Sequence, residues 1–452
     1  MGTTRNHQMT IVAVITATIG SLAAGSTPRE HDTPTMVDLF GTPTEIGETW
    51  GTVNRQAIRL DMERYLAKAR TENLSETTLI ERAQAFLGIA KQIAPHWIEE
   101  SRAIAQAAGV DADLYLSFLA NTPRGIGFHE CTSYAVTREF TQAGAILFHK
   151  TRDNVDREQV ACVLASSVKG VNEFIAVSNA SALSCSMMVN DKGLAGCSDY
   201  PAHLTRKNDP HALLPKAAEP QYRGMMSGSI LRYVAEKASN CTQALNIIQD
   251  FVKKGYYAGG NVNGSHWLFV DRTGTIMEVS SNARHVVSRI HTQEVYFSRL
   301  DGSAAAKRLR QAERLIDFHL FHNVSRDPSI CFGSSISGMT IEINAEHPDV
   351  LTCAWFTFPV KSLAFPVFMG GRKTPRRLLN GDLYTLGKTL HTEKSRWETL
   401  ERRAHADKQR LAGKIADLLE ADQTAEAVDL LDTWTETTAN AQFAIMKGLV
   451  PR

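Results

Sequence analysis

The chain has 452 residues, of which 43% are hydrophobic and 21% charged, a balance typical of a folded globular protein rather than a disordered or fibrous one. Lys and Arg number 49 against 48 for Asp and Glu, so the formal net charge is +1. This charge gives no general attraction to nucleic acid or to an acidic lipid surface, and no nucleic-acid partner is expected.

The first segment has the pattern of a secretory signal. An uncharged apolar run begins at Met9 and ends in the small residues Ser21-Leu-Ala23, which fit the rule for signal peptidase. We expect a signal peptide over residues 1–25 and an extracytoplasmic protein, periplasmic or secreted. The alternatives are a buried strand or an irregular start, and then a cytoplasmic protein. No other stretch reaches the roughly 18 to 20 apolar residues that cross a bilayer, so the mature protein is not expected to span a membrane.

Residues 26–130 are predicted to form a helical leader. Apolar residues recur three and four apart around Ile58 and around Ile104, with a similar stretch between them, which predicts three helices. Gly109 ends the third helix, and Asp111 is the expected N-cap of a short fourth one.

Residues 131–370 change to short β-type runs separated by turn signals and are predicted to form a mixed α+β body. A turn at Asp271–Gly274 joins two of these runs as a hairpin, because Gly accepts the positive φ that such turns need. Helical spacing predicts two helices within residues 228–254. The predicted strands are 132–136, 145–149, 174–178, 193–197, 266–270 and 276–280.

Residues 371–452 are predicted to form a C-terminal helical extension. Apolar residues from Trp397 to Leu419 recur three, four and seven apart among many charges, and a second helix is centred near Leu431. These amphipathic helices either pack back on the body or join a second subunit, so a homo-oligomer through them is one alternative.

The motifs of several enzyme classes are absent. Seven cysteines are scattered through the chain and none forms a CxxC pair, which disfavours a zinc ribbon or a thioredoxin-like redox site. The GxGxxG, P-loop, HExxH and GxSxG motifs are also missing, which disfavours dinucleotide, NTP, zinc-protease and α/β-hydrolase functions. No metal or organic cofactor is expected.

Cys131 lies where the helical leader meets the β-rich body, and a strand beginning there would place its thiol at a strand start. An odd number of cysteines leaves at least one unpaired, and such a thiol is either an inert core residue or a chemically useful one. From spacing alone, a buried structural cysteine is the commoner explanation, and the nearby His129 is more often a packing or surface residue.

Several segments carry a resemblance to a known family through their order and spacing. They are Ala94 to Asp113, Glu130-Cys-Thr-Ser, Asn190-Asp-Lys-Gly-Leu-Ala, His266 to Glu278 and Pro328-Ser-Ile-Cys331. In this order they resemble the isopenicillin-N acyltransferase family and, more distantly, the choloylglycine hydrolases.

This resemblance implies an N-terminal-nucleophile hydrolase with a four-layer αββα sandwich, made as an inactive precursor that cuts itself just before Cys131. The new terminus supplies a thiol nucleophile and a free α-amine, whose ordinary pKa of roughly 7.7 to 8.0 suits a base near neutral pH. The thiolate attacks an amide carbonyl, and water or an acceptor amine resolves the thioester. The leader would remain as an α chain held non-covalently to the β chain.

The resemblance also implies further site residues. Asp153 matches the aspartate that orients the α-amine, with a turn residue as the alternative, and Lys150 stands where relatives carry Arg or Gln. Arg152 could replace Lys150, since residues two apart in a strand share a face. Where relatives place two oxyanion-site asparagines, this chain has Asp199 and Ser298.

These replacements depart from the family pattern. An ionised carboxylate only accepts hydrogen bonds, so the oxyanion site must use backbone N–H groups, Ser198, a protonated Asp199, or another amide such as Asn261 or Asn263. Glu130 stands where relatives often carry Gly, which bears on the ease of self-cleavage.

The leading hypothesis is a self-processing amidohydrolase or acyltransferase acting on the linear amide bond of a small-molecule N-acyl compound. A variant keeps the chain uncut, with Cys131 assisted by His129 or His149. Other classes remain: a non-catalytic binding protein that kept the fold, and a structural envelope protein assembled through the C-terminal helices. The predicted loops 202–222 and 282–293 carry no clear substrate signature.

Overall fold

Two β-sheets and the helices packed on them make up the part of the chain that the computed structural model describes. That part comprises residues 36–120, 131–154, 158–200, 224–258, 264–292, 295–312, 315–390 and 393–450. The signal-like segment 1–25, the junction 121–130 with His129 and Glu130, the loop 202–222, and Asn261 and Asn263 lie outside it. The mixed α+β class expected from the sequence is confirmed.

The strands are named in chain order. They are β1 (Met36–Gly41), β2 (Cys131–Val136), β3 (Ile146–Asp153), β4 (Gln159–Ser166), β5 (Phe174–Asn179), β6 (Ala182–Asn190), β7 (Ala195–Asp199), β8 (Ser265–Val270), β9 (Ile276–Ser281), β10 (Val286–His291), β11 (Val295–Phe297), β12 (Ser335–Ile343), β13 (Cys353–Thr357) and β14 (Phe365–Phe368).

These strands form two sheets. An eight-stranded sheet has the order β1-β4-β5-β6-β7-β8-β9-β10, and a six-stranded sheet has the order β11-β2-β3-β12-β13-β14. The edge pair β1 and β4 is parallel, whereas every pair in the six-stranded sheet is antiparallel.

The helices are likewise named in chain order. They are α1 (Pro43–Val53), α2 (Arg55–Thr71), α3 (Glu76–Ile93), α4 (His96–Ala108), α5 (Ala112–Ala120), α6 (Ser227–Lys237), α7 (Cys241–Lys253), α8 (Ala304–Gln311), α9 (Phe318–Val324), α10 (Pro348–Leu351), α11 (Arg376–Leu379), α12 (Asp382–Thr389), α13 (Lys394–Glu420) and α14 (Thr424–Leu449).

Side chains from both sheets meet in one buried cluster. It includes Ala135 and Phe148 of the six-stranded sheet together with Val177 and Leu268 of the eight-stranded sheet. Because side chains alternate between the two faces of a strand, these contacts define one face of each sheet, which we name the inner face.

The opposite face of each sheet packs on helices. In the eight-stranded sheet, Phe269 and Val279 share a cluster with residues of α1 to α7. In the six-stranded sheet, Tyr134 and Leu147 share a cluster with residues of α8, α9, α13 and α14. Each sheet therefore buries both of its faces, which explains the consecutive apolar residues of strands such as β4 and β5.

The leader contains the predicted helices and one strand. Helices α2, α3, α4 and α5 confirm the four helices expected from periodicity. Gly109 ends α4 at φ 70°, and the Asp111 carboxylate accepts the N–H of Leu114 at 2.9 Å. The helical description of residues 26–130 needs a correction, because β1 pairs with β4 at the edge of the eight-stranded sheet.

All six predicted strands of the body overlap observed strands, namely β2, β3, β5, β7, β8 and β9. The turn at Asp271–Gly274 closes the β8–β9 hairpin with Gly274 at φ 86°. The prediction of a loop over residues 282–293 is wrong in part, since β10 lies within it and pairs with β9.

Helices α13 and α14 confirm the predicted C-terminal helices. Leu411 and Leu431 from these helices are buried in the cluster on the six-stranded sheet. The apolar stripe is therefore covered within the chain. Among the described helices, none has the length and apolar character needed to cross a bilayer.

Candidate active site

Cys131 is the first residue of β2 and faces the inner side of the six-stranded sheet. In the antiparallel pairing of β2 with β3, Cys131 lies opposite Arg152 and Ser133 lies opposite Lys150. Residues opposite one another share a face, and Ala135 on the same face belongs to the cluster between the sheets. Strand geometry therefore brings Cys131, Ser133, Lys150 and Arg152 to one side, with Cys131 7% exposed.

Lys150 connects the two sheets through a buried ion pair. Its Nζ donates to the Ser198 carbonyl oxygen at 2.6 Å and to the Asp199 carboxylate. Asp199 is the last residue of β7, in the other sheet, and its second carboxylate oxygen accepts the Ser133 hydroxyl at 2.5 Å. Lys150 is fully buried, so this pair is held by direct contacts rather than by solvent.

The two partners of this pair stabilise each other's charge. Burial by itself lowers the pKa of Lys150, but Asp199 and the nearby thiols Cys131 and Cys197 outweigh burial and raise it. Burial by itself raises the pKa of Asp199, but Lys150 and then His266 outweigh burial and lower it. The pair is therefore an ammonium and a carboxylate at neutral pH.

The surroundings of the Cys131 thiol favour its neutral form, whereas those of Lys150 and Asp199 favour their charged forms. The pKa of the thiol is raised, chiefly by burial and further by the carboxylates of Asp199 and Asp153, while Lys150 and Arg152 oppose the shift. The thiol of the uncut chain is therefore mostly protonated at neutral pH. A positively charged α-amine, once released on the same residue, would lower the pKa of the thiol, as Lys150 does.

Asp153 lies on the other face of β3 from Lys150, at the end of the strand. It pairs in register with Ser335 of β12, and the Ser335 hydroxyl donates to its carboxylate. The carboxylate is buried and close enough to Cys131 to influence the thiol pKa. The structure thus brings Asp153 to the beginning of β2, and Ser335 is a contact that the sequence analysis missed.

Ser298 directly follows β11 and contacts β2 through Ser133. The backbone N–H of Ser133 donates to the Ser298 hydroxyl at 2.9 Å, and the N–H of Ser298 donates to the Ser133 carbonyl at 2.8 Å. These contacts continue the β11–β2 pairing by one residue. The described contacts of Ser298 therefore hold the backbone of β2 two residues beyond Cys131.

Lys150 is a hydrogen-bond donor in this arrangement, and Asp199 is not. Asp199 is ionised and already accepts from Lys150 and Ser133, so it has no hydrogen to offer an oxyanion. Its place in the site is that of an acceptor, which disfavours the protonated Asp199 considered from sequence. Lys150 carries three hydrogens, of which two are used by Ser198 and Asp199.

A network of further polar residues continues from Asp199 between the inner faces. His266 lies opposite Asp199 in the β7–β8 pairing, with its Nδ1 3.9 Å from Asp199 Oδ2. Its Nε2 is 3.0 Å from Glu278 Oε1, and the Tyr296 hydroxyl donates to the same oxygen at 2.8 Å. His291 Nε2 is 2.8 Å from Glu278 Oε2. We name His266, Glu278, His291 and Tyr296 the inner polar network.

Sequence reasoning assigned no role to this network, although a signal for it exists. Along β7 and β8 the inward positions carry Cys197 then Asp199, and Leu268 then His266. An ionisable residue that follows an apolar one at inward spacing marks the position where a core becomes a polar site. The pairing of the two sheets was needed to bring these positions together.

The cysteines of the chain are unpaired. All seven are buried and none forms a disulfide. Cys197 lies on the same inner face as Asp199, with its Sγ 3.8 Å from Asp199 Oδ1. Within the described ranges, no three His, Cys, Asp or Glu side chains are grouped as metal ligands.

In comparisons with known proteins, the chain is similar only to solved structures. No family model matches the chain, and no curated protein matches it. A Caenorhabditis elegans ortholog of N-acylethanolamine-hydrolyzing acid amidase is similar with a TM-score of 0.35 and 11% identity, over 48% of this chain and 94% of that one.

Two bacterial structures are similar at the same level. Penicillin V acylase from Agrobacterium tumefaciens has a TM-score of 0.36 and 12% identity, over 53% of this chain and 86% of that one. A variant of conjugated bile acid hydrolase from Clostridium perfringens has a TM-score of 0.35 and 12% identity, over 54% of this chain and 94% of that one. Likenesses at these values do not place the chain in a family.

Proposed function

We propose that this chain is a self-processing enzyme that uses Cys131 as an N-terminal nucleophile on the linear amide bond of a small-molecule N-acyl substrate, as an amidohydrolase or an acyltransferase. One observation carries the proposal: the Cys131 thiol stands at the first position of a strand, on the inner face shared with the buried Lys150 ammonium. A purely structural core would be at least as stable with apolar residues in place of the ion pair, so its position beside a thiol favours chemistry.

The proposal includes a four-layer αββα sandwich. Its support is the burial pattern: one cluster holds side chains of both inner faces, with residues of α11 to α14 added to it, and a second and a third cluster join the outer face of each sheet to helices. In such a layering, Cys131 and Lys150 come from one sheet and Asp199 from the other. The site would then sit between the two central layers.

Activation would begin at the bond before Cys131. The thiol adds to the carbonyl carbon of residue 130, the C–N bond breaks, and the nitrogen takes a proton to become the α-amine of Cys131. Water then hydrolyses the thioester, which leaves a free carboxyl on residue 130 and a free thiol on Cys131. The segment that ends at residue 130 becomes the α chain and would stay bound through β1 and α4.

Turnover would use the same thiol. The α-amine takes the thiol proton, the thiolate attacks the substrate carbonyl carbon, and the resulting α-ammonium returns the proton to the leaving amine as the C–N bond breaks. Water or an acceptor amine then attacks the thioester and releases the thiol. The third hydrogen of Lys150 would stabilise the negative charge that forms near Cys131, and Asp153 would hold the α-ammonium; the support is the contacts of Lys150 and the effect of Asp153 on the thiol pKa.

Export before activation is part of the same proposal and is motivated by the signal-like segment 1–25. It predicts that the α chain recovered from cells begins after residue 23, where the small residues end. Sequencing the N-terminus of the α chain measures this, and an intact Met1 would contradict it.

A second candidate function is a binding protein that kept the fold and lost turnover. It is favoured by the raised pKa of the Cys131 thiol and by Asp199, which is an acceptor rather than an oxyanion donor. This candidate predicts a whole chain that releases no amine from any N-acyl compound.

The two candidates are separated by replacing Cys131. Cys131→Ala should abolish cleavage of the chain and the release of amine from a panel of N-acyl amides of different acyl length. Cys162→Ala is the matched control, since Cys162 is also buried and free but lies in the outer cluster of the eight-stranded sheet. Amine release that is equal in both variants would contradict the proposal.

A further inference from the structure

Ser337 of β12 carries a buried hydroxyl without a partner beside the candidate site. The residue is fully buried, and its Oγ makes no hydrogen bond within the described part of the chain. Such a hydroxyl costs free energy, because it has lost its hydrogen bonds to water and gained none in their place. Most buried polar atoms are satisfied, so the position of this one needs a physical reason.

Strand pairing places Ser337 in one row with Cys131. Ser337 lies opposite Arg152 in the pairing of β12 with β3, and Arg152 lies opposite Cys131 in the pairing of β3 with β2. Residues that lie opposite one another share a face, and Met339, two residues further along β12, belongs to the cluster of the inner faces. The whole row therefore faces the inner side. Neighbouring strands lie about 4.8 Å apart, so Ser337 stands about 10 Å from Cys131.

An extra residue in β12 brings Ser337 into this row. Ser335 lies opposite Asp153, the neighbour of Arg152 in β3, but the residue opposite Arg152 is Ser337. Ile336 is therefore the extra residue of a bulge, and regular pairing would put it opposite Arg152. Bulges are common next to active sites, where they redirect a side chain. Here the bulge puts a hydroxyl where regular pairing would put an apolar side chain.

The surroundings of the row are polar and reach the other sheet. Arg152 Nη1 donates to Gln159 Oε1 at 2.8 Å, and Gln159 Nε2 donates to Asn179 Oδ1 at 2.9 Å. Gln159 is the first residue of β4, and Asn179 is the last residue of β5. The inner side thus changes along β12 from the apolar Met339 to a polar region at Ser337, where a polar group of a ligand finds partners.

We propose that Ser337 determines substrate specificity: its hydroxyl forms a hydrogen bond with a polar group of the substrate, such as a hydroxyl, a few bonds from the scissile amide. This inference rests on the proposed function, because it takes Cys131 as the nucleophile. The substrate carbonyl carbon is bonded to the Cys131 sulfur during turnover. About 10 Å along the row spans a few covalent bonds and one hydrogen bond, so the polar group belongs to the amine part or to the first carbons of the acyl part.

The test compares matched substrates that differ in one hydroxyl. One pair is the ethanolamide and the propylamide of the same carboxylic acid, in which a methyl group replaces the hydroxyl of the amine part. The other pair shares one amine and differs by a hydroxyl on the third carbon of the acyl chain. The wild type should prefer the hydroxyl-bearing member of one pair at least about tenfold in kcat/KM for amine release, because the analogue leaves Ser337 unpaired. The pair that shows the preference identifies the part of the substrate that Ser337 contacts.

Ser337→Ala should remove this preference, so that kcat/KM for the hydroxyl-bearing member falls to about the value for its analogue. Its unfolding temperature should equal that of the wild type or exceed it, since the lost hydroxyl leaves no partner behind. Ser178→Ala is the matched control. Ser178 Oγ is equally buried and lacks a hydrogen bond among the described residues, but it lies opposite Val160 of the outer cluster on the eight-stranded sheet. This variant should keep the wild-type preference.

The outcomes separate the inference from the proposed function. A preference that Ser337→Ala retains, or a wild type without preference in either pair, overturns the inference alone, because amine is still released. A wild type that releases amine from none of these amides at any acyl length overturns the proposed function and the inference together.

Discussion

Lys150 is the buried cation of the candidate site. A fully buried ammonium is unfavourable unless it is paired, and here one carboxylate and one carbonyl hold it. Under the proposed function, the remaining hydrogen of Lys150 would face a charge that forms at Cys131. The residue would then have a chemical role besides its part in the buried ion pair, and the two can be measured separately.

Lys150→Met should lower the free energy of unfolding by about 3 to 5 kcal/mol, because it leaves the Asp199 carboxylate buried without its cation. The variant should also slow labelling of Cys131 at neutral pH. Lys150→Met combined with Asp199→Leu should recover most of the stability, since both partners of the buried pair are then apolar. Denaturant unfolding and labelling rates measure the two effects.

Lys150→Met by itself decides whether Lys150 acts on the thiol, because the double variant also removes Asp199, a carboxylate that raises the thiol pKa. The double variant should therefore label Cys131 faster than Lys150→Met does. Labelling of Lys150→Met at the wild-type rate would contradict an effect of the ammonium on the thiol.

Helix α13 is attached to the segment that follows α9 by a second buried ion pair. Arg326 donates to the two carboxylate oxygens of Glu401 at 2.6 and 2.8 Å, and Glu401 also accepts the N–H of Ala364 at 2.8 Å. Burial alone raises the pKa of Glu401, but Arg326 outweighs it and lowers the pKa from 4.5 to about 2. The charged form of Glu401 therefore stabilises the folded chain.

This shift predicts a pH-dependent stability. The stabilisation is fully present above the unfolded pKa of 4.5 and is lost as the pH falls toward the folded pKa of about 2. Glu401→Gln should therefore be less stable than the wild type at pH 7, and the difference should shrink between about pH 5 and pH 2. Thermal unfolding as a function of pH measures this.

Glu420→Gln, at an exposed position of the same helix, is the control and should follow the wild-type curve. A stability difference for Glu401→Gln that stays constant down to pH 2 would contradict the assigned cause.

The elements that the sequence predicted share a clear periodicity. Helices α2 to α5, α13 and α14 present apolar residues at helical spacing, and strands such as β8 are short apolar runs beside a turn. Strands β1 and β10 lack that signal: β1 is a single short strand before a helix, and β10 is an edge strand with exposed residues at its centre. Strand β1 is held by pairing with the distant β4, and β10 by pairing with β9, and neither pairing shows in the residue pattern of the strand itself.

The candidate site was predictable in part for the same reason. Cys131, Lys150 and Asp153 lie on β2 and β3, which are adjacent in sequence and pair directly, so strand alternation relates them. Asp199 lies 49 residues beyond Lys150 and in the other sheet. Asp199 contacts Lys150 because the two sheets pack on each other. The contacts of His266 arise in the same way. The residue pattern of any one segment does not show this packing.

At the scale of the whole molecule, the leader is fastened to the body by a buried ionic cluster. Arg232 of α6 donates to both carboxylate oxygens of Glu100 of α4, at 2.6 and 2.7 Å. It also donates to Glu236 at 2.9 Å, and Glu236 accepts the indole N–H of Trp97 at 2.8 Å. These contacts cross from α4 to α6, so they would hold the α chain after a cut before Cys131.

Arg232→Met should lower the free energy of unfolding by about 3 to 5 kcal/mol, because two buried carboxylates lose their cation. In a cut protein it should also let the α chain separate from the β chain during size-exclusion chromatography in dilute denaturant. Arg64→Met, which removes a half-exposed partner of Asp61, is the control and should cost about 0 to 1 kcal/mol. Equal losses in the two variants would contradict the role of the Arg232 cluster.

Conversion of Cys131 into an N-terminus is measured most directly by the intact mass of the purified full chain. The protein would be weighed before and after overnight incubation at neutral pH, with Cys131→Ala in parallel. We expect the wild type to give two chains whose masses add up to the starting chain plus one water, the larger beginning at Cys131, and the variant to stay whole. A wild-type chain that stays whole between residues 130 and 131 would contradict self-cleavage before Cys131.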